Sequence, residues 1–177
     1  ADFDEHCDDW SDIERRIGLG NFALARIKKA LWNKLTTRRL KVKIIMVFIY
    51  PTVTHGSETW AYGKREAKIL DTWWMRLMRR VRGVTICDRM RSADILKDLK
   101  VSPLSVEEWQ LRYLGHIQRY PGERWVKFAM TAERPGQTKT GKEKQWVKTT
   151  ASRLAKKQLN TDMMENKVLW RAKLQEL

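Results

Sequence analysis

The chain is poor in the residues that most often carry chemistry. It has two cysteines, Cys7 and Cys87, and three histidines, His6, His55 and His116, in 177 residues. No CxxC or HxxxH spacing joins them, which excludes the common zinc frameworks. So few cysteines point to a reducing compartment and not to a disulfide scaffold. A serine or Cys87 nucleophile would need a positioned base, and the histidines stand in unrelated segments. Neither GxxxxGKS nor GxGxxG occurs, so no glycine-rich phosphate cradle is expected. The longest apolar run, residues 42–51, is interrupted by Lys43 and falls short of a membrane span. The opening ADFDEHCDDW is acidic and does not read as a cleavable signal. Nucleus or cytoplasm is the expected location, with no secretion and no membrane partner.

Negative charge is also scarce. Asp and Glu total 21 against 36 Lys and Arg, a net charge of +15. Such an imbalance favours nucleic acid as a partner, ahead of an anionic membrane. The pair Asp8-Asp9 after Cys7 resembles the metal-holding aspartates of polymerase palms only superficially. Its flanks are polar and a helix begins at once, so a helix-stabilising role at the N-terminus fits better. No catalytic residue, metal or cofactor is expected in this chain.

What is present is cations, tryptophan and helical periodicity. Nine tryptophans serve as core or interface anchors. Over Lys64–Arg82, at about 100° per residue, Ile69, Leu70, Trp73, Trp74, Leu77, Met78 and Val81 share one side. Lys64, Arg65, Lys68, Arg76, Arg79, Arg80 and Arg82 occupy the other, with Asp71 at the boundary. The apolar side predicts core, and the basic side is either a phosphate-facing surface or a merely solvated one, the net charge favouring the first. Gly83 ends this helix.

Other helices follow the same logic. Ser11 and Glu14 form a capping-box pattern for a helix to about residue 32, with Ile13, Ile17, Gly20, Leu24, Ile27 and Leu31 as its seam. Thr36 or Thr37 caps a second helix. Its basic first turns (Arg38, Arg39, Lys41, Lys43) oppose the macrodipole, a cost that a nearby anion or solvent would offset. Residues 44–50 are apolar all round and are expected to be buried, and Pro51 ends or kinks the helix. Ser92 caps a short helix to about Leu99. Ser102-Pro103 or Ser105 starts another that turns Leu104, Trp109, Leu111, Leu114 and Ile117 mostly inward and stops near Pro121. Residues 131–144 read as a flexible basic linker. Helices over 143–157 and 162–174 follow, anchored by Trp146, Leu154, Val168 and Trp170. Residues 125–130 are the one strand candidate.

The expected fold is therefore all-α. A helical bundle spans 11–122 after an acidic lead-in, 1–10. A basic linker, 131–144, leads to a small C-terminal helical segment, 145–177. The candidate nucleic-acid-binding residues are Arg76, Arg79, Arg80 and Arg82, then Lys28, Lys29, Arg89 and Arg91. They are cations that pair with phosphate while nearby aromatics fill the core.

Several ordered stretches carry a resemblance: HGSETWAYGKRE, MRLMRRVRGVTICDRMRSADI, LRYLGHIQR and a closing LWRAKL. Their most specific parts are Gly56-Ser57-Glu58-Thr59-Trp60, Arg79-Arg80 with Gly83, Asp88-Arg89 and Leu114-Gly115-His116. In this order, over about residues 8–174, the chain resembles the region after the palm in LINE-type, non-LTR retrotransposon endonuclease–reverse transcriptases. It departs at His55, where Tyr is frequent. In the linker and tail, Gly141-Lys142-Glu143 and Gln145-Trp146-Val147-Lys148 replace Gly-Arg-Pro and Arg-Trp-x-Asp. The resemblance implies a thumb and post-thumb segment that grips a template–primer duplex of RNA and DNA. The palm, with its Mg2+, and the endonuclease would lie elsewhere in a longer parent that performs RNA-directed DNA synthesis. The rival readings are a helical protein-interaction module and a decayed retrotransposon fragment.

Overall fold

The structure, a computed structural model, describes residues 9–60, 63–127 and 145–175. Among these residues it is all-α, with no strand. The helices are α1 (Asp9–Arg26), α2 (Lys28–Leu31), α3 (Arg38–Ile44), α4 (Tyr50–Thr54), α5 (Lys64–Arg82), α6 (Ser92–Leu99), α7 (Glu107–Gln118), α8 (Gln145–Lys156) and α9 (Lys167–Gln175). They form two compact units. Among described residues, the first holds 9–55 and 63–105, and the second holds 56–60, 106–127 and 145–175. The expected linker lies outside the described residues, as do Cys7 and Asp8, while Asp9 opens α1.

The first unit is built on α1 and α5. α1 begins before Ser11, so that residue lies inside the helix and does not cap it. A turn at Ile27 separates α1 from α2 within the expected span. Ile13, Gly20 and Leu31 of the expected seam are buried. At Gly20 the helices meet: a Cβ there would lie 2.5 Å from Val53 Cγ2 and 3.2 Å from the Trp73 ring. α5 buries Leu70, Trp74, Leu77, Met78 and Val81, as its periodicity predicts. Its first turn is closed by the Glu66 carboxylate, which accepts from Gly63 N–H at 2.9 Å. Gly83, at φ +81°, ends it in the left-handed conformation that glycine adopts without strain.

Thr37 caps α3, its hydroxyl oxygen accepting from Leu40 N. The helix then passes through Pro51 instead of ending there. Proline has no N–H and its ring crowds the preceding turn. A widened π-turn, Ile45–Ile49, absorbs the misfit, and Tyr50 N–H donates to Ile45 O. The expectation that residues 44–50 are buried all round is wrong. Ile45, Ile49 and Val53, four apart, face the core, whereas Val47 and Phe48 are 64% and 61% exposed. One helix laid on one unit buries one side, whatever the composition of the other.

Ser92 does not cap α6. It is the first helical residue, with Arg91 as N-cap. α7 starts at Glu107 and not at Ser102 or Ser105, with Glu107 and Glu108 in its first turn, where carboxylates suit the macrodipole.

The second unit packs α7 with α8, α9 and the single turn Ser57–Thr59. Leu111, Leu114, Leu154, Met164, Trp170 and Leu174 form its core. The Trp170 indole lies on Gly115, whose missing Cβ leaves the room, and donates to Leu111 O at 3.1 Å. Gln110, wholly buried, donates to Ser57 O and Trp60 O. Trp146 Nε1 donates to Glu58 O at 2.9 Å. The Gly56–Trp60 stretch is thus a structural turn, opened by Gly56 at φ +77°. Three expectations fail here. Val168 is 78% exposed and anchors nothing, Trp109 faces outward, and residues 125–127 are helical, not a strand. The second tail helix also starts later than expected, after a tight turn over Thr161–Met164.

Candidate nucleic-acid interface

The outer side of α5 is where the structure places the basic row. Lys64, Arg65, Lys68, Arg76 and Arg80 are exposed. Arg79 and Arg82 are half-buried and engaged. Arg79 donates to Met90 O at 3.2 Å and to Ser92 Oγ at 3.3 Å, bracing the loop between α5 and α6. Arg82 is ion-paired with Asp98 of α6. So α5 itself offers Arg76 and Arg80, while its other two candidates hold the unit together.

Arg80 does not stand alone. Its guanidinium lies 4.4 Å from the centre of the Trp32 ring, and Lys41 Nζ lies 5.7 Å from the same ring. A ring's negative face attracts cations, so Trp32 gathers charges from α3 and α5 that would otherwise repel. Lys28 and Lys29, both exposed, sit on α2 one turn before Trp32, whose N–H donates to Lys28 O at 3.0 Å. Among the described residues, no carboxylate pairs with Arg76, Arg80, Lys28, Lys29 or Lys41. Sequence reasoning missed Trp32 and Lys41 as the point of assembly. Nine positions apart and on different helices, they give no periodic signal.

Arg89 and Arg91 are exposed on the loop after α5. That loop is tightly held. Asp88 Oδ2 accepts from Thr85 N–H at 2.6 Å and from the Thr85 hydroxyl at 2.9 Å. These two donors hold the Asp88 carboxyl below the usual carboxylate range. Arg89 takes a left-handed φ of +50°. Burial pushes the Asp71 carboxyl on α5 in the other direction, upward.

The rest of the chain's sparse chemistry stays dispersed. Among the described residues, no three His, Cys, Asp or Glu side chains come together as a metal site. Cys87 is a free, exposed thiol. His116 is paired with the Tyr120 hydroxyl at 2.8 Å. No described helix is long and apolar enough to cross a membrane.

Set beside known proteins, the chain matches no protein-family profile and no solved structure. It is 24% identical over 147 residues to a Caenorhabditis elegans protein whose name describes it as uncharacterized and transposon-derived. The match takes in 72% of this chain and 52% of that protein, so the chain spans about half the length of the relative it resembles.

Proposed function

We propose that this chain is a non-catalytic, nucleic-acid-holding segment of a LINE-type, non-LTR retrotransposon reverse transcriptase. It grips template–primer RNA/DNA through phosphates, with little reading of base sequence. The carrying observation is Arg76 and Arg80, exposed on α5 without a carboxylate partner among the described residues, with Arg80 and Lys41 meeting at the Trp32 ring and Lys28 and Lys29 exposed one turn before Trp32 in the chain. The ordered motifs and the similarity to a transposon-derived protein support the same reading. Palm and endonuclease belong to a longer parent. The described residues offer no ligand set that fits the palm's Mg2+, so no catalytic step is assigned to this chain.

Each phosphate neutralised by a cation adds about 0.9 to the slope of log affinity against log salt. Arg76→Glu with Arg80→Glu should weaken duplex binding and flatten that slope by about 1 to 2. Fluorescence anisotropy over a salt series measures it, and an unchanged slope defeats the proposal.

A second reading, a protein-interaction module, is favoured by one feature. Val47 and Phe48 are 64% and 61% exposed, beside exposed Leu40 and Met46. Exposed apolar side chains gathered in one segment are a feature of contact surfaces. If it docks on the parent's palm, co-expression with the polypeptide that precedes this segment in the parent gives a complex that Val47→Ser with Phe48→Ser dissolves. Copurification that survives both substitutions rules this out.

A further inference from the structure

The second unit carries an aromatic–cation stripe that the reading above does not use. Trp109, Arg112, His116 and Tyr120 fall at spacings of three, four and four along α7 and its end, which places them on one side of the helix. Their side chains meet in pairs. The Arg112 guanidinium lies 5.0 Å from the Trp109 ring centre. The His116 and Tyr120 rings are 4.6 Å apart, and Arg124 lies 4.7 Å over the Tyr120 ring. Trp109 and His116 are exposed, and Trp125, next in chain to Arg124, is 81% exposed.

The turn that presents Trp125 is fixed. Lys127 Nζ donates to Gln118 O at 2.9 Å and Tyr120 O at 3.1 Å, satisfying carbonyls left over at the end of α7. Arg124 N–H donates to Pro121 O at 3.1 Å, and Lys127 N–H to Arg124 O at 2.9 Å. Two carboxylates stand nearby: Glu108, bonded to Arg112 at 2.7 Å, and exposed Glu123. The braced turn keeps the Trp125 ring largely exposed. Exposed rings alternating with guanidinium groups match the chemistry of unstacked bases joined by phosphates. The stripe, eleven residues at about 1.5 Å each, is about 16 Å long. That length suits roughly five nucleotides at about 3.4 Å each.

We propose that the stripe from Trp109 through Tyr120 to Trp125 is a stacking platform for single-stranded nucleic acid. It is separate from the duplex-holding cations of α5 and uses none of their residues.

The test compares binding of the whole chain to an oligothymidylate of about ten nucleotides with binding to an abasic oligonucleotide of equal length and charge. Base stacking predicts a preference for the oligothymidylate of about tenfold or more. Trp109→Ala with Trp125→Ala should bring the ratio near one and leave abasic binding unchanged. Trp125→Phe should keep most of the preference. Circular dichroism checks that both variants remain helical. Equal binding of the two probes by the unaltered chain overturns the proposal, as does a preference that survives loss of both tryptophans. Arg76→Glu with Arg80→Glu separates the two sites. If it weakens duplex binding but leaves the single-strand preference, both readings stand. If the salt slope for duplex is unmoved while the preference remains, only the duplex reading fails.

Discussion

Each unit buries a tryptophan to 1% exposure, Trp74 in the first and Trp170 in the second, and the two are held in different ways. Trp170 donates its indole N–H to Leu111 O at 3.1 Å. Trp74 meets the edge of Tyr50, ring centres 5.8 Å apart, but its N–H finds no acceptor among the described residues. The pattern extends beyond the pair. In the second unit Gln110 and Trp146 also send side-chain donors to the backbone from buried or half-buried positions. In the first, Arg79 donates to Met90 O from a half-buried position, and the bonds at Thr37 and Asp88 lie at the surface. Among the described residues, the Trp74 indole is held by packing, and the Trp170 indole by packing and a hydrogen bond. A buried donor without an acceptor is itself unfavourable, by about 1–3 kcal/mol.

Substitution of the two tryptophans is the strongest way to break this comparison. Trp170→Ala should lower the unfolding free energy by about 3–5 kcal/mol. Phenylalanine separates the polar contribution from the packing one. Trp170→Phe loses a hydrogen bond, whereas Trp74→Phe removes an unsatisfied donor, so the loss at 74 should be smaller by about 1 kcal/mol or more. Urea unfolding of the two Phe variants measures the difference. Equal losses would mean that the indole bond contributes nothing specific to the second core.

The glycines sharpen the comparison at the next level of effect. Gly20 and Gly115 both lie where another element presses on the helix, but against different neighbours. At Gly20 a methyl would meet the tip of Val53, which can give only with its backbone, and the Trp73 ring. At Gly115 it would run into the Trp170 indole and displace its bond to Leu111 O. Overpacking predicts losses of about 1–3 kcal/mol for either alanine, with Gly115→Ala the larger because a hydrogen bond goes with it. Gly18, two residues from Gly20, has nothing within 4 Å of its would-be Cβ. Gly18→Ala should stabilise by about 0.5–1 kcal/mol, since helical glycine gives up more freedom on folding. Thermal denaturation of the three variants checks the order, and a tolerated Gly115→Ala would contradict the packing described at Trp170.

Periodicity carried most of the first unit. α5 could be read from Gly63 to Gly83 because its apolar and basic positions repeat at the helical period, and both ends have a glycine. The seam of α1 was legible for the same reason, Gly20 included. Partnership was not legible, because a periodic pattern names a face without naming what covers it. Residues 44–50 and Val168 were expected inside on composition, yet Val47, Phe48 and Val168 face out because nothing among the described residues reaches them. Gln110 was overlooked as a polar residue in a helix, although it ties α7 to the Ser57–Trp60 turn. Among the candidate cations, sequence could not separate Arg76 and Arg80 from Arg79 and Arg82. That distinction depends on Met90 O, Ser92 and Asp98, which only the fold brings near. The motif Leu114-Gly115-His116 was visible, but its meaning is divided: Gly115 makes room for Trp170, and His116 pairs with Tyr120 outside.

The smallest expected effect tests whether the surface bonds of the first unit hold the loop bearing Arg89 and Arg91. Two donors from Thr85 favour the charged form of Asp88, so its pKa in the folded chain lies below that of the unfolded chain. The sign follows from linkage. The contribution is fully present above the ordinary aspartate value, about 3.9, and fades as pH falls through the folded value. Because Asp88 is exposed, global stability is a poor readout, whereas the Thr85 amide proton reports the bond directly. Its chemical shift, followed by NMR during acid titration, should move with a midpoint below that of an ordinary aspartate. Thr85→Val removes the hydroxyl bond and keeps the amide one, so the midpoint should rise part of the way. A midpoint at or above the ordinary value in the unaltered chain would show the loop to be unbraced by Asp88. The positioning of Arg89 and Arg91 would then rest on the bonds of Arg79 to Met90 O and Ser92 and on that of Arg89 N–H to Ile86 O.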